Sequence, residues 1–356
     1  MPGGEMPEGE MTDGTPDEFR LIRELFAPLA AGYPGALGLT DDAAFITATP
    51  GFDTVATMDT MVAGVHFLPD DPADLIARKL VRVNLSDLAA KGAVPTVIMV
   101  SAAFPAGTTG EWLSRFAEGL GQDVAEFAVP LIGGDTVSTP GPLTLTLTAL
   151  GRVAAGQGIL RSGAAAGDDI WVTGSIGDGA LGLKAIRGEL AGLDPAMIAM
   201  LAGRYRLPQP RVGVGRGLIG LAHAAMDVSD GLVQDLGHIC RASQVTAVIE
   251  AGLVPLSAAA SLAVTADLSL LATVLTGGDD YEVLFTAPAG AAAAITDLSR
   301  REAVPVTRIG RITPEHNGAA LPVTVTDDSG SSLRLERGGW RHFRDVAAKG
   351  DDSWSG

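Results

Sequence analysis

The chain has 356 residues, 47% of them hydrophobic and 19% charged, and a formal net charge of −17. That length suffices for two domains of ordinary size. So acidic a chain lacks the clustered Lys and Arg that a polyphosphate backbone needs, which excludes nucleic acid as its main partner but leaves small phosphates held through metal ions.

The first 16 residues are acidic and rich in Gly and Pro, and read as disordered. They have neither the basic region nor the apolar core of a signal peptide. "EFRLIRELFAPLA" then has helical spacing, with Phe19, Leu21, Ile22, Leu25 and Phe26 on one face. "DTVATMDTMVAG" reads as a strand. "DPADLIARKLVRVNLSDLAAKGA" reads as a helix that Asp71 or Asp74 can cap and Gly92 ends. A strand ("PTVIMVSAAF"), an amphipathic helix ("TTGEWLSRFAEGLGQDVAEF") and a strand ("AVPLIGGD") follow. "GPLTLTLTALGRV" alternates Leu and Thr as a half-buried strand does. These elements form one α/β domain over residues 17–155. A Gly-punctuated connection, "RSGAAAGDDIWVTGSIG", opens a second α/β domain over 156–345, with helices in "ALGLKAIRGEL" and "QDLGHICRAS" and strands in "VTAVIEA", "YEVLFTA" and "VTRIGRIT". Residues 346–356 read as a loose end. The most apolar region, 247–275, is interrupted by Glu250, Pro255 and Asp267. It falls short of the roughly 18 to 20 unbroken residues of a membrane span. The single cysteine, Cys240, permits no intramolecular disulfide, which fits a reducing cytoplasm, and its place in "DLGHICRAS" is that of a buried helix residue.

"GRGLIG", Gly215–Gly220, satisfies G-x-G-x-x-G literally, but the residues before it, "RLPQPRVGV", carry two prolines and no strand pattern. It reads instead as a helix that starts after Pro210 and places small residues where it packs closely. The G-x-x-x-x-G-K-[ST] loop, the protein-kinase signatures, zinc-spaced His/Cys clusters and the G-x-S-x-G elbow are all absent from the sequence.

What remains is aspartate: "LTDDAA" (Asp41, Asp42), "TMDT" (Asp59, at a strand end), "NLSDLAAKG" (Asp87), "LIGGDT" (Asp135), "MDVSDG" (Asp227, Asp230) and "GGDDYE" (Asp279, Asp280), the last three stretches placing it beside glycine where a hydrophobic segment stops. Any one of these can cap a helix or start a turn. Together they ask for more. Asp59, Asp87 and Asp135 are embedded in apolar sequence, and a buried carboxylate is destabilising unless paired or bound to metal. With 25 Lys and Arg against 42 Asp and Glu, pairing alone cannot cover them. Oxygen-only ligands select Mg²⁺ or Mn²⁺, which fill their shells with water and phosphate oxygens, so the set points to several ions and an anionic ligand such as ATP. Gly133 and Gly134 would let the backbone approach a phosphate; Gly231, Gly277 and Gly278 would do the same or simply turn the chain.

The segments "DDAA", "DTMVAGVHF", "NLSDLAAKGA", "LIGGDT", "RSGA", "DVSDGL", "GGDDYE" and "GWRHF", in that order over residues 19–343, resemble the thiamine-monophosphate kinase family of the AIR synthetase-related ATP-binding superfamily. The resemblance implies a fold of two mixed α/β domains, with ATP and metal bound by the N-terminal one. It implies phosphorylation of thiamine monophosphate by ATP with several Mg²⁺ ions, the last step of thiamine diphosphate synthesis, and a homodimer formed through the N-terminal domain. Carried over by position, Asp42, Thr57, Met58, Asp59, Asp87, Asp135, Asp227 and Asp230 match metal-site positions. Gly134, Asp135, Arg161 and Ser229 match ATP-binding positions, and His66, Asp279 and Trp340 the substrate side. Thr40, Met58 and Asp279 stand where the family has Gly, Thr and Glu; at Met58 only a backbone oxygen could serve a metal. No general base is implied, with Arg161, Asp135 and Asp230 supporting transfer. Two rivals stay open: another AIR synthetase-related ATP-dependent enzyme, or a non-catalytic Mg²⁺- or nucleotide-binding regulator.

Overall fold

The computed structural model describes residues 18–314, 322–335 and 339. The expected tails at 1–16 and 346–356, and Trp340, lie outside the described residues. Among the latter, one compact unit ends at Asn84 and resumes over Pro95–Arg152; the other comprises Leu85–Val94 and the chain from Val153 onward.

The first unit begins with α1 (Glu18–Leu21), a π turn over Ile22–Phe26 and 3-10 turns over Ala27–Ala30 and Pro34–Leu39. The helix expected across "EFRLIRELFAPLA" is helical but split, because Pro28 has no N–H to continue an α ladder. Leu21 and Phe26 are buried as their spacing predicts. There follow β1 (Phe52–Val62), α2 (Ala73–Ala90, whose residues from Leu85 on belong to the second unit), β2 (Val94–Pro105), α3 (Gly110–Phe127), β3 (Leu131–Thr139) and β4 (Thr144–Ala154). The strands lie in the order β1-β4-β2-β3, with β3 parallel to β2. On β4 the leucines point into the core and the threonines sit half-buried, following the alternation in the sequence. Thr109 caps α3 by accepting the Trp112 N–H at 3.2 Å. α3 is tied to α2 by a buried ion pair, Arg82 to Asp123 at 2.8 Å.

The second unit contains β5 (Asp169–Thr173), α4 (Asp178–Ile186), α5 (Pro195–Arg206), α6 (Val212–Gly217), β6 (Ala224–Asp227), α7 (Leu232–Ser243), β7 (Val245–Glu250), α8 (Ala258–Ala266), α9 (Leu270–Thr276), β8 (Val283–Ala287), α10 (Ala292–Glu302), β9 (Val306–Pro314) and β10 (Val323–Thr326). The sheet order is β10-β7-β9-β5-β8-β6. β10 runs parallel to β7 and the other pairings are antiparallel. Ile170 and Val172 of β5 pack into a cluster with Leu181, Leu201, Leu236 and Ala260 of α4, α5, α7 and α8. Trp171 stacks on Phe285 in a second cluster with Val214 of α6 and Leu298 of α10. Both faces are covered, so β5, β6 and β8 are buried at every position.

"GRGLIG" falls in and just after α6, where a Cβ on Gly215 would run into the carbonyl of Ala89. Close packing, not a dinucleotide, accounts for that glycine. Cys240 is fully buried on α7, and burial pushes its thiol up to about 12.

Candidate active site

In the first unit, Asp59 and Thr57 share the inward face of β1, half-buried, while Met58 points the opposite way and is 64% exposed. The backbone N–H of Asp59 donates to Asn84 Oδ1 at 3.0 Å, and Asn84 Nδ2 donates to the Leu80 carbonyl one turn back on α2 at 2.9 Å. The helix thus fixes the strand segment that carries Asp59. His66 closes the "AGVHF" turn, its Nδ1 accepting the Val62 N–H at 3.0 Å. That bond makes Nδ1 the acceptor and puts the ring proton of neutral His66 on Nε2. Asp42 is exposed, and Asp41 Oδ1 accepts its N–H at 2.8 Å, so Asp41 supports the turn that presents Asp42.

Asp59 and Asp135 do not terminate strands, contrary to expectation. β1 continues to Val62 and β3 to Thr139, and Asp135 pairs in register with Ser101. The apolar run stops at Ile132 because the rest of β3 is partly or wholly exposed, not because pairing ends. Asp135 is itself exposed rather than buried. The glycines before it have a structural cause as well. A bulge shifts the β2–β3 register between Ile98 and Met99, and a Cβ on Gly134 would meet the Val100 carbonyl. Gly134→Ala is expected to cost about 2 kcal/mol through this overpacking. Urea unfolding checks it, and a loss under about 0.5 kcal/mol would show that β2 gives way easily.

In the second unit, β6 ends on Asp227, which is 4% exposed, and the chain turns through Val228–Gly231 into α7. The carboxylate of Asp235, in the first turn of α7, accepts the backbone N–H groups of Asp230 and Gly231 at 3.1 Å each. Burial, reinforced by the charges of Asp227 and Asp230, pushes the Asp235 carboxyl well above the usual range. Gln234 Nε2 donates to Asp230 Oδ2 at 3.1 Å. Ser229 and the "GGDDYE" loop are joined through backbone: the Asp279 N–H donates to the Ser229 carbonyl at 2.9 Å, and the Tyr281 N–H to that of Val228 at 2.8 Å. A Cβ on Gly278 would strike the Ser229 carbonyl, and Gly231, at φ +121°, faces the Thr276 carbonyl. These two glycines let the loops pack together.

Asp279 and Asp280 separate into different roles. Asp280 is buried and accepts the Gly177 and Gly179 N–H groups at 2.7 and 2.9 Å, capping α4. Burial pushes its carboxyl up to about 8. Asp279 is half-buried in left-handed backbone at φ +71°.

Sequence reasoning passed over Lys91, Asp235 and Glu282. Lys91 Nζ donates to the Ala225 carbonyl at 2.9 Å. Burial and the charge of Arg161 push its ammonium down to about 8, opposed by Asp227 and Asp87. Arg161 also helps lower His238, after burial and Arg241, while Asp230 raises it. The structure therefore brings Asp87, Arg161, Asp227 and Asp230 into one electrostatic neighbourhood. An acid in the first turn after "DVSDG" was the available signal for Asp235; Lys91 and Glu282 had none.

Among the described residues, no three His, Cys, Asp or Glu side chains are gathered so as to hold a metal by themselves. Mg²⁺ does not require such a cage, since it takes one or two carboxylates and completes its shell with water and phosphate. Asp227 and Asp230, whose charges together raise Asp235, are hard oxygen donors of the kind such an ion takes.

Residues 40–153 match the AIR synthase related protein N-terminal domain, and 165–321 the corresponding C-terminal domain. The chain is thus a two-domain AIR synthase-related protein. Thiamine-monophosphate kinase of Caulobacter vibrioides is 41% identical over 330 residues, covering 92% of this chain and 91% of that protein. The crystal structure of thiamine-monophosphate kinase from Stenotrophomonas maltophilia K279a is similar at 37% identity and TM-score 0.77, over 87% of this chain and 98% of that one. The structure of AaThiL complexed with AMPPCP and TMP is similar at 27% identity and TM-score 0.71, over 85% and 91%. Within its class, the chain belongs to the thiamine-monophosphate kinase family.

Proposed function

We propose that this enzyme transfers the terminal phosphoryl group of ATP to the phosphate of thiamine monophosphate, giving ADP and thiamine diphosphate, the last step of thiamine diphosphate synthesis. The observation that carries the chemistry is the neighbourhood of Asp87, Arg161, Asp227 and Asp230. The acceptor is a phosphate monoester with a second pKa of about 6, so at neutral pH it is largely a dianion and is its own nucleophile. What transfer needs is to bring two anions together in line, and positioning and charge neutralisation meet that need without a general base.

Asp42, Thr57, the backbone oxygen of Met58, Asp59, Asp87, Asp135, Asp227 and Asp230 would hold Mg²⁺, which neutralises phosphate charge when bound. The exposure of Met58 on the face opposite Thr57 and Asp59 supports a backbone rather than side-chain role there. Gly134, Asp135, Arg161 and Ser229 would orient ATP, with Arg161, Asp135 and Asp230 supporting transfer. His66, Asp279 and Trp340 would receive thiamine monophosphate. The oxygen attacking the phosphorus forms its bond as the bridging bond to ADP breaks, with no phosphoenzyme between.

A homodimer through the N-terminal domain is part of this proposal. It is supported by edge strand β1, whose outward face carries Phe52 and Met58 at 46% and 64% exposed. A cytoplasmic setting is supported by the lone buried Cys240, and no helix among the described residues is long and apolar enough to cross a membrane.

Incubation with Mg·ATP and thiamine monophosphate is expected to yield thiamine diphosphate, and none of it from unphosphorylated thiamine. Mg·ATP binding without product would move the assignment to another acceptor or to a regulator. A phosphorylated residue trapped by rapid quench would overturn direct transfer.

A further inference from the structure

Lys91 follows Asp87 by four residues in the turn just past the end of α2, and its ammonium is fixed to the Ala225 carbonyl at 2.9 Å, two residues before Asp227 on β6. The mechanism above does not use it. A lysine half-buried here gives up hydration, and the nearby carboxylates are what compensate that loss. Asp87 and Asp227 both favour its charge, and Arg161 opposes it. One ammonium thus ties the end of a helix to the end of a strand, each of which carries an acid assigned to metal. We infer that Lys91 is a built-in counter-cation of this acidic site, offsetting the charges of Asp87 and Asp227 before a divalent ion arrives and weakening the affinity for that ion. The inference rests on the proposed metal role of Asp87 and Asp227.

A neutral side chain removes the repulsion felt by an incoming cation. Arginine preserves that charge. A positive charge several ångströms from a divalent ion, in a partly solvated site, changes affinity by about 3- to 10-fold.

The test is a titration of the nucleotide-free protein with Mn²⁺ alone, free Mn²⁺ being read by electron paramagnetic resonance. Lys91→Met and Lys91→Gln are expected to bind Mn²⁺ about 3- to 10-fold more tightly than the parent, and Lys91→Arg to stay within about twofold. Asp87→Asn is expected to bind about 10-fold more weakly or worse. The two neutral variants differ in polarity, so the second carries the test if the first fails to fold. Neutral variants that bind Mn²⁺ no more tightly than the parent, with Asp87→Asn weakened, would overturn the counter-cation role and leave the metal assignment standing. Asp87→Asn binding like the parent would overturn the metal assignment and this inference with it.

Discussion

Asp227→Asn is expected to lower kcat for thiamine diphosphate formation by about 10²- to 10³-fold while changing the stability of the metal-free protein by no more than about 1 kcal/mol. The two halves of this expectation have one source. Asp227 is 4% exposed at the end of β6, and its charge adds to the repulsion that raises Asp235. It also favours the charge on Lys91. Asparagine keeps the shape and removes the charge. The repulsion of Asp235 is relieved as support for the Lys91 charge is lost, and asparagine keeps an oxygen acceptor, so the net change in stability is small. Activity is not indifferent, because an oxygen donor to a hard cation is lost.

A linkage measurement makes the distinction sharp. A ligand present at 100 times its Kd stabilises the native state by about 2.7 kcal/mol. The parent should therefore melt at a higher temperature in Mg·AMPPCP than in EDTA, and Asp227→Asn should lose most of that rise. A variant that kept its kcat would show that Asp227 binds no essential ion. One that lost several kcal/mol without metal would show that the residue serves the fold.

The residues named from sequence differ in how far sequence could place them. Strong periodicity made the elements legible: the Leu/Thr alternation of β4, the long apolar face of α2 and the amphipathic α3 all form where expected. Asp227 was legible too, since an apolar strand does stop there. Asp59 and Asp135 were misplaced within their strands because apolarity reports burial and not pairing. β3 goes on pairing with β2 after its side chains reach solvent. "GGDD" could not be divided from sequence, since Asp279 and Asp280 are adjacent and chemically identical. Backbone direction alone sends one carboxylate to cap α4 and leaves the other half-buried at positive φ. Lys91 was invisible because its importance arises from Ala225 and Arg161, far away in sequence.

The same long-range logic governs Glu282, which has no neighbour in sequence to betray its partners. It is fully buried at the end of the "GGDDYE" loop. Thr173 Oγ1 donates to it at 2.6 Å, Arg204 Nη2 at 2.7 Å, and Arg211 through Nε at 2.7 Å and Nη2 at 2.6 Å. Thr173 Oγ1 in turn accepts the Val283 N–H at 2.8 Å, so the carboxylate organises the start of β8 as well. Just ahead of it, Asp279 and Tyr281 hold φ values of +71° and +52°, a conformation that side-chain-bearing residues keep only when their surroundings impose it. Glu282→Ala would leave two guanidinium groups facing an emptied site. Breaking a buried ion pair by removing one partner costs about 3 to 5 kcal/mol. Arg204 and Arg211 are each 18% exposed and can turn partly toward water, which favours the lower end of that range. Urea unfolding should therefore show about 3 kcal/mol lost. The surviving folded protein should show a KM for thiamine monophosphate raised more than that for ATP, because the loop carries Asp279. Glu282→Gln, which keeps an oxygen acceptor for Thr173 or one arginine, should lose less on both counts. A loss below about 1 kcal/mol would mean that the arginines find water without strain. Equal changes in the two KM values would mean that the loop does not set the thiamine monophosphate pocket.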